Sequence, residues 1–237
     1  MNYGSSRLGV MVPSGDNVAE TELRAMLPED VAMMTTRLAL RGSSEPELLA
    51  MLTDLDGAAA MLGHAEPDLI AFHCTAVSTF APRLAGEIRD RIAAATGRRS
   101  IATADALLAA LRALQARRVL LVTPCIEPIY QREIEFLTAN GLTVSGGSWL
   151  GVNSNFGRIP PEAIAAQVLA AASGVSADAC FISGSAIRSA GRIVDLEASL
   201  GMPVLTSNQV LAWHALRTLG IERRVLGFGQ IFGRPGS

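Results

Sequence analysis

The chain has 237 residues, of which 49% are hydrophobic and 18% charged, and its formal net charge is −2. This length can bury a substantial core, and the weak charge gives no reason to expect a nucleic-acid partner. No stretch reaches the roughly 18 apolar residues that a membrane span needs, and the N-terminal apolar run is too short for a signal peptide. We therefore expect a cytoplasmic globular protein that acts without a membrane.

All 20 basic residues are arginines. The missing lysine excludes a pyridoxal phosphate Schiff base and a phosphate-binding P-loop. No G-x-G-x-x-G follows a predicted strand, so a dinucleotide site has no fingerprint. Three widely spaced cysteines and three histidines favour neither a disulfide framework nor a zinc site. We expect neither a cofactor nor a metal.

Short apolar runs alternate with segments of helical periodicity, which is typical of an α/β protein with parallel sheets. In chain order, the predicted strands are 8–12, 31–38, 69–72, 119–122, 142–149, 180–182 and 204–205. The predicted helices are 45–62, 77–95, 104–116, 129–140, 161–172 and 209–219. Gly141 and Gly220 lie where helix C-caps are expected.

The sequence also repeats itself weakly. Residues 7–14 match 118–125 at an offset of 111, residues 68–76 match 178–186 at 110, and residues 110–114 match 215–219 at 105. Three matches in the same order indicate a duplicated half. We predict two Rossmann-like parallel-sheet halves related by pseudo-two-fold symmetry, the first comprising 1–115 with 208–237 and the second 116–207.

The repeated blocks all lie at strand ends, just before a helix. Ligands bind outside the carboxyl ends of parallel strands, so two facing halves would enclose an active-site cleft. The alternative is that these blocks are ordinary strand-to-helix turns, in which Ser, Thr and Gly are common.

Cys74 lies at such a junction, in the sequence FHCTAVS. Free backbone N–H groups at a helix N-terminus lower the pKa of a thiol, and with the hydroxyls of Thr75 and Ser78 they could hold a substrate carboxylate. A buried, inert cysteine is the alternative. We predict that Cys74 is catalytic.

The other thiols are placed differently in the pattern. Cys180 lies inside an apolar run and is interpreted as a core residue, whereas Cys125 follows Thr123 and Pro124 at a strand end and could line the cleft or simply pack. His73 should point away from Cys74 if the strand pleat continues, which disfavours a thiol–imidazole pair.

Several of these segments resemble the Asp/Glu racemase superfamily, and most closely the branch with maleate cis-trans isomerase and arylmalonate decarboxylase. The segments are LGVMVPSGDNVAE at 8–20, Cys74-Thr75, VTP at 122–124, Ser183-Gly184 and PVLTSNQ at 203–209. The resemblance implies two Rossmann-like domains, an active site between them and no cofactor. It also implies a small carboxylate or dicarboxylate as substrate, and family members often form oligomers.

The resemblance further implies roles for individual residues. Family racemases and isomerases carry one cysteine in each half; Cys74 matches the first, but the second position falls on Gly184. Substrate binding is implied for the residues that match the family's carboxylate-binding turns, for the position where the family often has a tyrosine, and for the nearby strand-end hydroxyls: Ser14, Asp16 or Asn17, Thr75, Ser78, Thr123, Cys125, Asn153, Gly184, Ser185 and Arg188.

A single thiol narrows the chemistry. Racemisation by two bases needs a proton carrier on each face of the substrate, and here the second carrier is missing unless a non-standard group replaces it. Addition of Cys74 to a double bond, giving cis-trans isomerisation, and decarboxylation followed by protonation from Cys74 both remain open. The alternative from another class is a catalytically silent carboxylate-binding protein.

Overall fold

In the computed structural model, which describes residues 5–40, 42–81 and 83–233, the strands form two four-stranded parallel sheets. The first has the order β2-β1-β3-β4 and the second β6-β5-β7-β8. Their bounds are β1 Ser6–Pro13, β2 Val31–Leu38, β3 Leu69–Phe72, β4 Arg99–Ala102, β5 Arg118–Thr123, β6 Thr143–Trp149, β7 Ala179–Ile182 and β8 Val204–Thr206. The second order repeats the first, and the prediction of two Rossmann-like halves is confirmed.

Helices connect the strands and cover the sheets. They are α1 Ala19–Met26, α2 Glu45–Ala50, α3 Leu55–Gly63, α4 Thr75–Ser78, α5 Leu84–Thr96, α6 Thr103–Ala113, α7 Glu127–Ala139, α8 Pro161–Ala172, α9 Ile193–Leu200 and α10 Ser207–Thr218. Strands β3 and β7 are buried along their whole length, which explains why their sequences are unbroken apolar runs. None of the described helices is long and apolar enough to cross a bilayer.

The two halves meet along helices as well as at the strand ends. Helix α10 follows the second sheet in the chain, yet it packs against α6 and α1 of the first half as well as against β8. Trp213 on α10 is fully buried in this contact region. The apolar core is therefore continuous from one half to the other.

The structure differs from the predicted elements in a few places. Strand β4 and helices α1 and α9 were not predicted. The predicted helix 45–62 is interrupted by a 3₁₀ turn at Met51–Asp54, and the predicted helix 77–95 is two helices, α4 and α5. The second break falls where the sequence reads Ala81-Pro82. The helical conformation is disfavoured for a residue that precedes a proline, which explains the break. Gly141 and Gly220 have φ of +77° and +75° after α7 and α10, as C-cap glycines require.

Candidate active site

A cavity lies between the two sheets at the carboxyl ends of their strands. The empty space inside it, counted out through its open mouth into solvent, is about 680 Å³. Residues that follow β1, β2 and β3 line one side, and residues that follow β5, β6 and β7 line the other. Among the residues the structure describes, no group of three or more His, Cys, Asp and Glu side chains is arranged to hold a metal ion.

Cys74 lies in this cavity at the N-cap of α4, with φ −147° and ψ 108°. Burial raises the pKa of its thiol to about 12, and the negative charges of Asp16 and Glu133 act in the same direction. Hydrogen bonds from the backbone N–H groups of Val77 and Ala76 lower that pKa but are outweighed. The helix N-terminus therefore acts in the direction expected from the sequence, but the resting thiol is protonated at neutral pH.

Five other predicted site residues line the cavity with Cys74: Asp16, Thr75, Cys125, Gly184 and Ser185. The Thr75 hydroxyl donates to the Ser207 hydroxyl at 2.8 Å, and the Gly184 N–H donates to the same Ser207 oxygen at 3.0 Å. Ser207 thus joins the first-half turn to the second-half turn, although it does not itself line the cavity. The Ser185 hydroxyl has no partner among the described residues, so it is available to a ligand.

Three predicted hydroxyls lie outside the lining and hold the turns in place. The Ser14 hydroxyl hydrogen-bonds with the backbone of Leu40. The Ser78 hydroxyl donates to the Thr75 carbonyl, and the Thr123 hydroxyl accepts from the Cys125 N–H. They shape the site without facing the cavity.

Asn17, Asn153 and Arg188 are exposed at the rim and do not line the cavity either. Asn153 Oδ1 accepts from the Ser43 N–H at 3.1 Å, which joins the second half to the first. Arg188 donates to the Ile159 carbonyl at 3.0 Å. These residues position loops around the mouth, and any direct contact with substrate remains a prediction.

The resemblance left open whether Asp16 or Asn17 takes part in the site. In the structure Asp16 lines the cavity and Asn17 does not. Asp16 Oδ1 accepts from the N–H groups of Val18 and Ala19, both at 2.9 Å, at the start of α1. Its Oδ2 is buried and has no hydrogen-bond partner. A carboxylate there accepts hydrogen bonds and repels anions, so the expected role of binding a substrate carboxylate does not suit Asp16.

Glu133 lines the cavity and was not predicted. It lies on α7 and is only 2% exposed. Its Oε1 accepts a hydrogen bond from the Ser183 hydroxyl, and its buried Oε2 has no partner. Burial raises the pKa of its carboxyl to about 7, against the opposing effect of the Ser183 hydrogen bond. The sequence carried a signal for it: Ile129, Glu133 and Phe136 follow the helical spacing of the buried face.

Gly184 follows β7 as Cys74 follows β3, and its backbone conformation disfavours a side chain at this position. Its φ is +128°, a conformation that residues with a Cβ rarely adopt. A Cβ at this position would meet only ordinary contacts with Ile187, the nearest at 3.6 Å. The obstacle to a side chain is therefore backbone conformation, not space.

His73 does not pair with Cys74. Its Nδ1 lies 2.9 Å from Thr103 Oγ1 and its Nε2 lies 2.7 Å from Asn208 Oδ1. Burial lowers the pKa of His73, so the ring is neutral at neutral pH. Asn208 also donates to Glu22 at 2.7 Å and to the Ser185 carbonyl at 3.0 Å. This network fixes the Ser185 turn from the side opposite the cavity.

The model of the arylmalonate decarboxylase family matches residues 8–232. That match spans both sheets except the first two residues of β1, and it includes every residue assigned to the cavity. The chain belongs to the arylmalonate decarboxylase family. The resemblance inferred from the sequence motifs is thereby confirmed.

Two curated relatives and one solved structure place the chain more closely. It is 31% identical to the maleate isomerase of Nocardia farcinica (strain IFM 10152), over 96% of each protein. It is 29% identical to the arylmalonate decarboxylase of Bordetella bronchiseptica, over 58% of this chain and 59% of that protein. A structure of Nocardia farcinica maleate cis-trans isomerase matches with a TM-score of 0.89 and 28% identity, covering 96% of this chain and 98% of that one. That isomerase is a cysteine-to-serine mutant with a covalently bound succinylcysteine intermediate.

Proposed function

We propose that the protein is a cofactor-independent cis-trans isomerase of small α,β-unsaturated carboxylic acids. The observation that carries this function is Cys74, a thiol held at the N-cap of α4 inside a cavity between two α/β halves. The succinylcysteine in the 28%-identical isomerase supports it, because that adduct forms in a protein from which one cysteine has been removed. One thiol therefore suffices for the addition step.

The reaction starts when Cys74 gives up its thiol proton and its Sγ forms a bond to one alkene carbon. The π electron pair moves to the neighbouring carbon, which takes up a proton. The former double bond is now single and rotates. Loss of the other hydrogen of that carbon, as a proton, restores the double bond, the C–S bond breaks, and the trans acid leaves. Hydrogen-bond donors stabilise the charge that develops on the adjacent carboxyl group, and the Ser185 hydroxyl is available for this.

The cavity also constrains the substrate. None of its described lining residues is Arg or His, so the substrate carboxylate is held by neutral donors. Asp16 offers an unpartnered acceptor oxygen on the first-half side. The group that faces Asp16 is therefore a donor, such as an amide or a protonated carboxyl. We infer a cis-unsaturated diacid bound as its monoanion, or its monoamide.

The test is turnover of maleate and of maleamate, followed by ¹H NMR, with mass spectrometry of the quenched enzyme. We expect a trans product, and a mass increase of one substrate on the peptide that contains Cys74. Cys74→Ala should abolish both signals. Cys180→Ala, which removes a thiol from the core of β7, is the control and should keep them. An unchanged rate in Cys74→Ala would overturn the proposal.

The protonated state of the Cys74 thiol favours a second candidate, decarboxylation of a malonate-type acid. After loss of carbon dioxide, the thiol would protonate the enediolate from one face. Phenylmalonate in deuterium oxide distinguishes the two. Carbon dioxide release with one deuterium in the product, and no isomerisation of maleate, would replace the first candidate by the second. Tight binding of these acids without turnover of any would indicate a carboxylate-binding protein.

A further inference from the structure

We propose that the Glu133 carboxyl is the acid and base that works opposite Cys74, in place of a second thiol. The inference rests on the proposed addition of Cys74 to the substrate. It identifies Glu133 as the donor of the proton that this addition requires, and it makes Glu133 a catalytic residue of the second half.

The geometry carries the assignment. Glu133 and Cys74 line one cavity, from α7 of the second half and α4 of the first. Ser183, which holds Glu133 Oε1, is the residue next to Gly184, where a second thiol would stand. The other oxygen, Oε2, is buried and unpartnered. An acid with one unpartnered oxygen is therefore hydrogen-bonded to the residue next to the position at which the second half lacks a thiol.

The duplicated half provides an internal comparison. Glu22 lies 111 residues before Glu133, at the equivalent place in the repeat. Its Oε1 accepts from the N–H groups of Ser189 and Ala190 at 2.7 and 2.9 Å, and its Oε2 accepts from Asn208 at 2.7 Å. Both oxygens of Glu22 are occupied, Oε1 by a contact with the second half and Oε2 by one with α10. Glu133 keeps one oxygen free, as an acid–base group needs.

The proton balance closes within the pair. The reactive state has one proton and one negative charge shared by Cys74 and Glu133. Thiolate attack forms the C–S bond, the π pair moves to the neighbouring carbon, and Glu133 gives that carbon its proton. After rotation the Glu133 carboxylate takes a proton from the same carbon, now its other hydrogen, the double bond reforms and the thiolate leaves. No other reactant is consumed.

This scheme predicts a pH dependence. Below the pKa of Glu133, which burial raises to about 7, both members of the pair are protonated and no thiolate is available. Turnover should therefore rise as pH increases through about 7. The titratable groups that face Glu133 are Cys74, Cys125 and Tyr130, whose pKa values its charge raises. Cys125 and Tyr130 remain protonated in this range, because burial also raises their pKa values, whereas the Cys74 proton is the one that the pair shares.

The experiment compares Glu133→Gln with Glu135→Gln, which makes the same change at an exposed position of α7. We expect kcat to fall about 10²- to 10⁴-fold in Glu133→Gln, with KM changed little. The rise of kcat with pH near 7 (the pH limb) should be lost. Glu135→Gln should match the wild type. Wild-type kcat and an intact limb in Glu133→Gln would overturn the assignment.

Ser183→Ala provides a second measurement that does not depend on the glutamine variant folding. Its hydroxyl lowers the pKa of Glu133, so removing it should move the pH limb upward while turnover persists. A limb that stays in place would contradict the role of Glu133. If Cys74→Ala is inactive and Glu133→Gln is not, only this inference fails. If Cys74→Ala is active, the proposed function itself fails.

Discussion

Individual side chains at the cavity are divided between those that hold the structure and those left free for a ligand. Ser14, Ser78 and Thr123 have their hydroxyls bonded to the turns themselves. Asp16 and Glu133 each have one oxygen bonded and one buried without a partner. An unsatisfied buried oxygen is costly, so its persistence at a cavity points to a partner supplied by the ligand.

Asp16→Asn tests the ligand group at this position. The asparagine keeps Oδ1 for the N–H groups at the start of α1 and replaces the free oxygen by an N–H donor. A hydrogen bond to a charged group contributes about 1.5–3 kcal/mol. We therefore expect KM for maleate to fall about 10-fold or more, and KM for maleamate to rise.

Steady-state kinetics on both substrates provides the measurement. Asp54→Asn, an exposed aspartate in the 3₁₀ turn before α3, is the control and should leave both constants unchanged. Equal changes for the two substrates would show that Asp16 does not distinguish a carboxylate from an amide.

At the scale of helices and strands, long apolar runs could be predicted and short or mixed ones could not. Strand β2 and helix α8 have the bounds that their patterns predicted. Strand β4 begins with Arg99 and Ser100 and has only two buried residues, so its apolar run is too short to detect. Helix α1 has only eight residues, four of them charged or hydroxyl-bearing. Its buried residues Ala19, Leu23 and Met26 do follow helical spacing, but so short a pattern was missed.

Site residues that directly follow a strand could be predicted from the sequence, whereas a site residue that reaches the cavity from a helix could not. The turns with Cys74 and Ser185 were located because parallel strands end at one edge. Glu133 was missed because an acidic residue in a helix is ordinarily solvated, and only its position on the buried stripe of α7 distinguishes it. The conformation of Gly184 could not be deduced from its identity alone.

Gly184→Cys tests whether the turn after β7 accepts the missing thiol. The φ of +128° disfavours any side chain, and such strain costs on the order of 1–3 kcal/mol. We expect the free energy of unfolding to fall by about that amount in urea titrations, with no gain in turnover. Gly191→Ala is the control, because Gly191 lacks a positive φ and has open space around it. A fully stable and faster Gly184→Cys variant would show that the turn relaxes freely.

At the scale of the whole molecule, the cavity exists because two halves meet through polar contacts that are themselves buried. The network of Glu22, His73 and Asn208 joins α1, the end of β3 and α10. Ser207 joins Thr75 to Gly184 within the same junction. Both oxygens of the buried Glu22 carboxyl are hydrogen-bonded there, whereas one oxygen of the buried Glu133 carboxyl is not, and this difference has consequences for global stability.

Glu133 should therefore lower stability at neutral and higher pH. Its carboxyl pKa is raised from 4.5 in the unfolded chain to about 7 in the fold. Its contribution to stability is fully present below about pH 4.5 and is lost as pH rises through about 7, where the folded protein must ionise a buried group. His73 opposes this trend below pH 6.5, because its pKa is lowered by burial and the unfolded chain binds its proton first. Comparison of variants removes that contribution, since both carry His73.

Between pH 4 and pH 8, the wild type should lose about 3 kcal/mol more unfolding free energy than Glu133→Gln, which has no proton to release. Urea titrations at each pH provide the measurement, and Glu135→Gln should follow the wild type because its exposed carboxyl is solvated in both states. Parallel stability curves for the wild type and Glu133→Gln would mean that the carboxyl titrates as in the unfolded chain. A gain in stability from the same substitution that removes turnover would show that the molecule keeps a destabilising carboxyl in its cavity for chemistry.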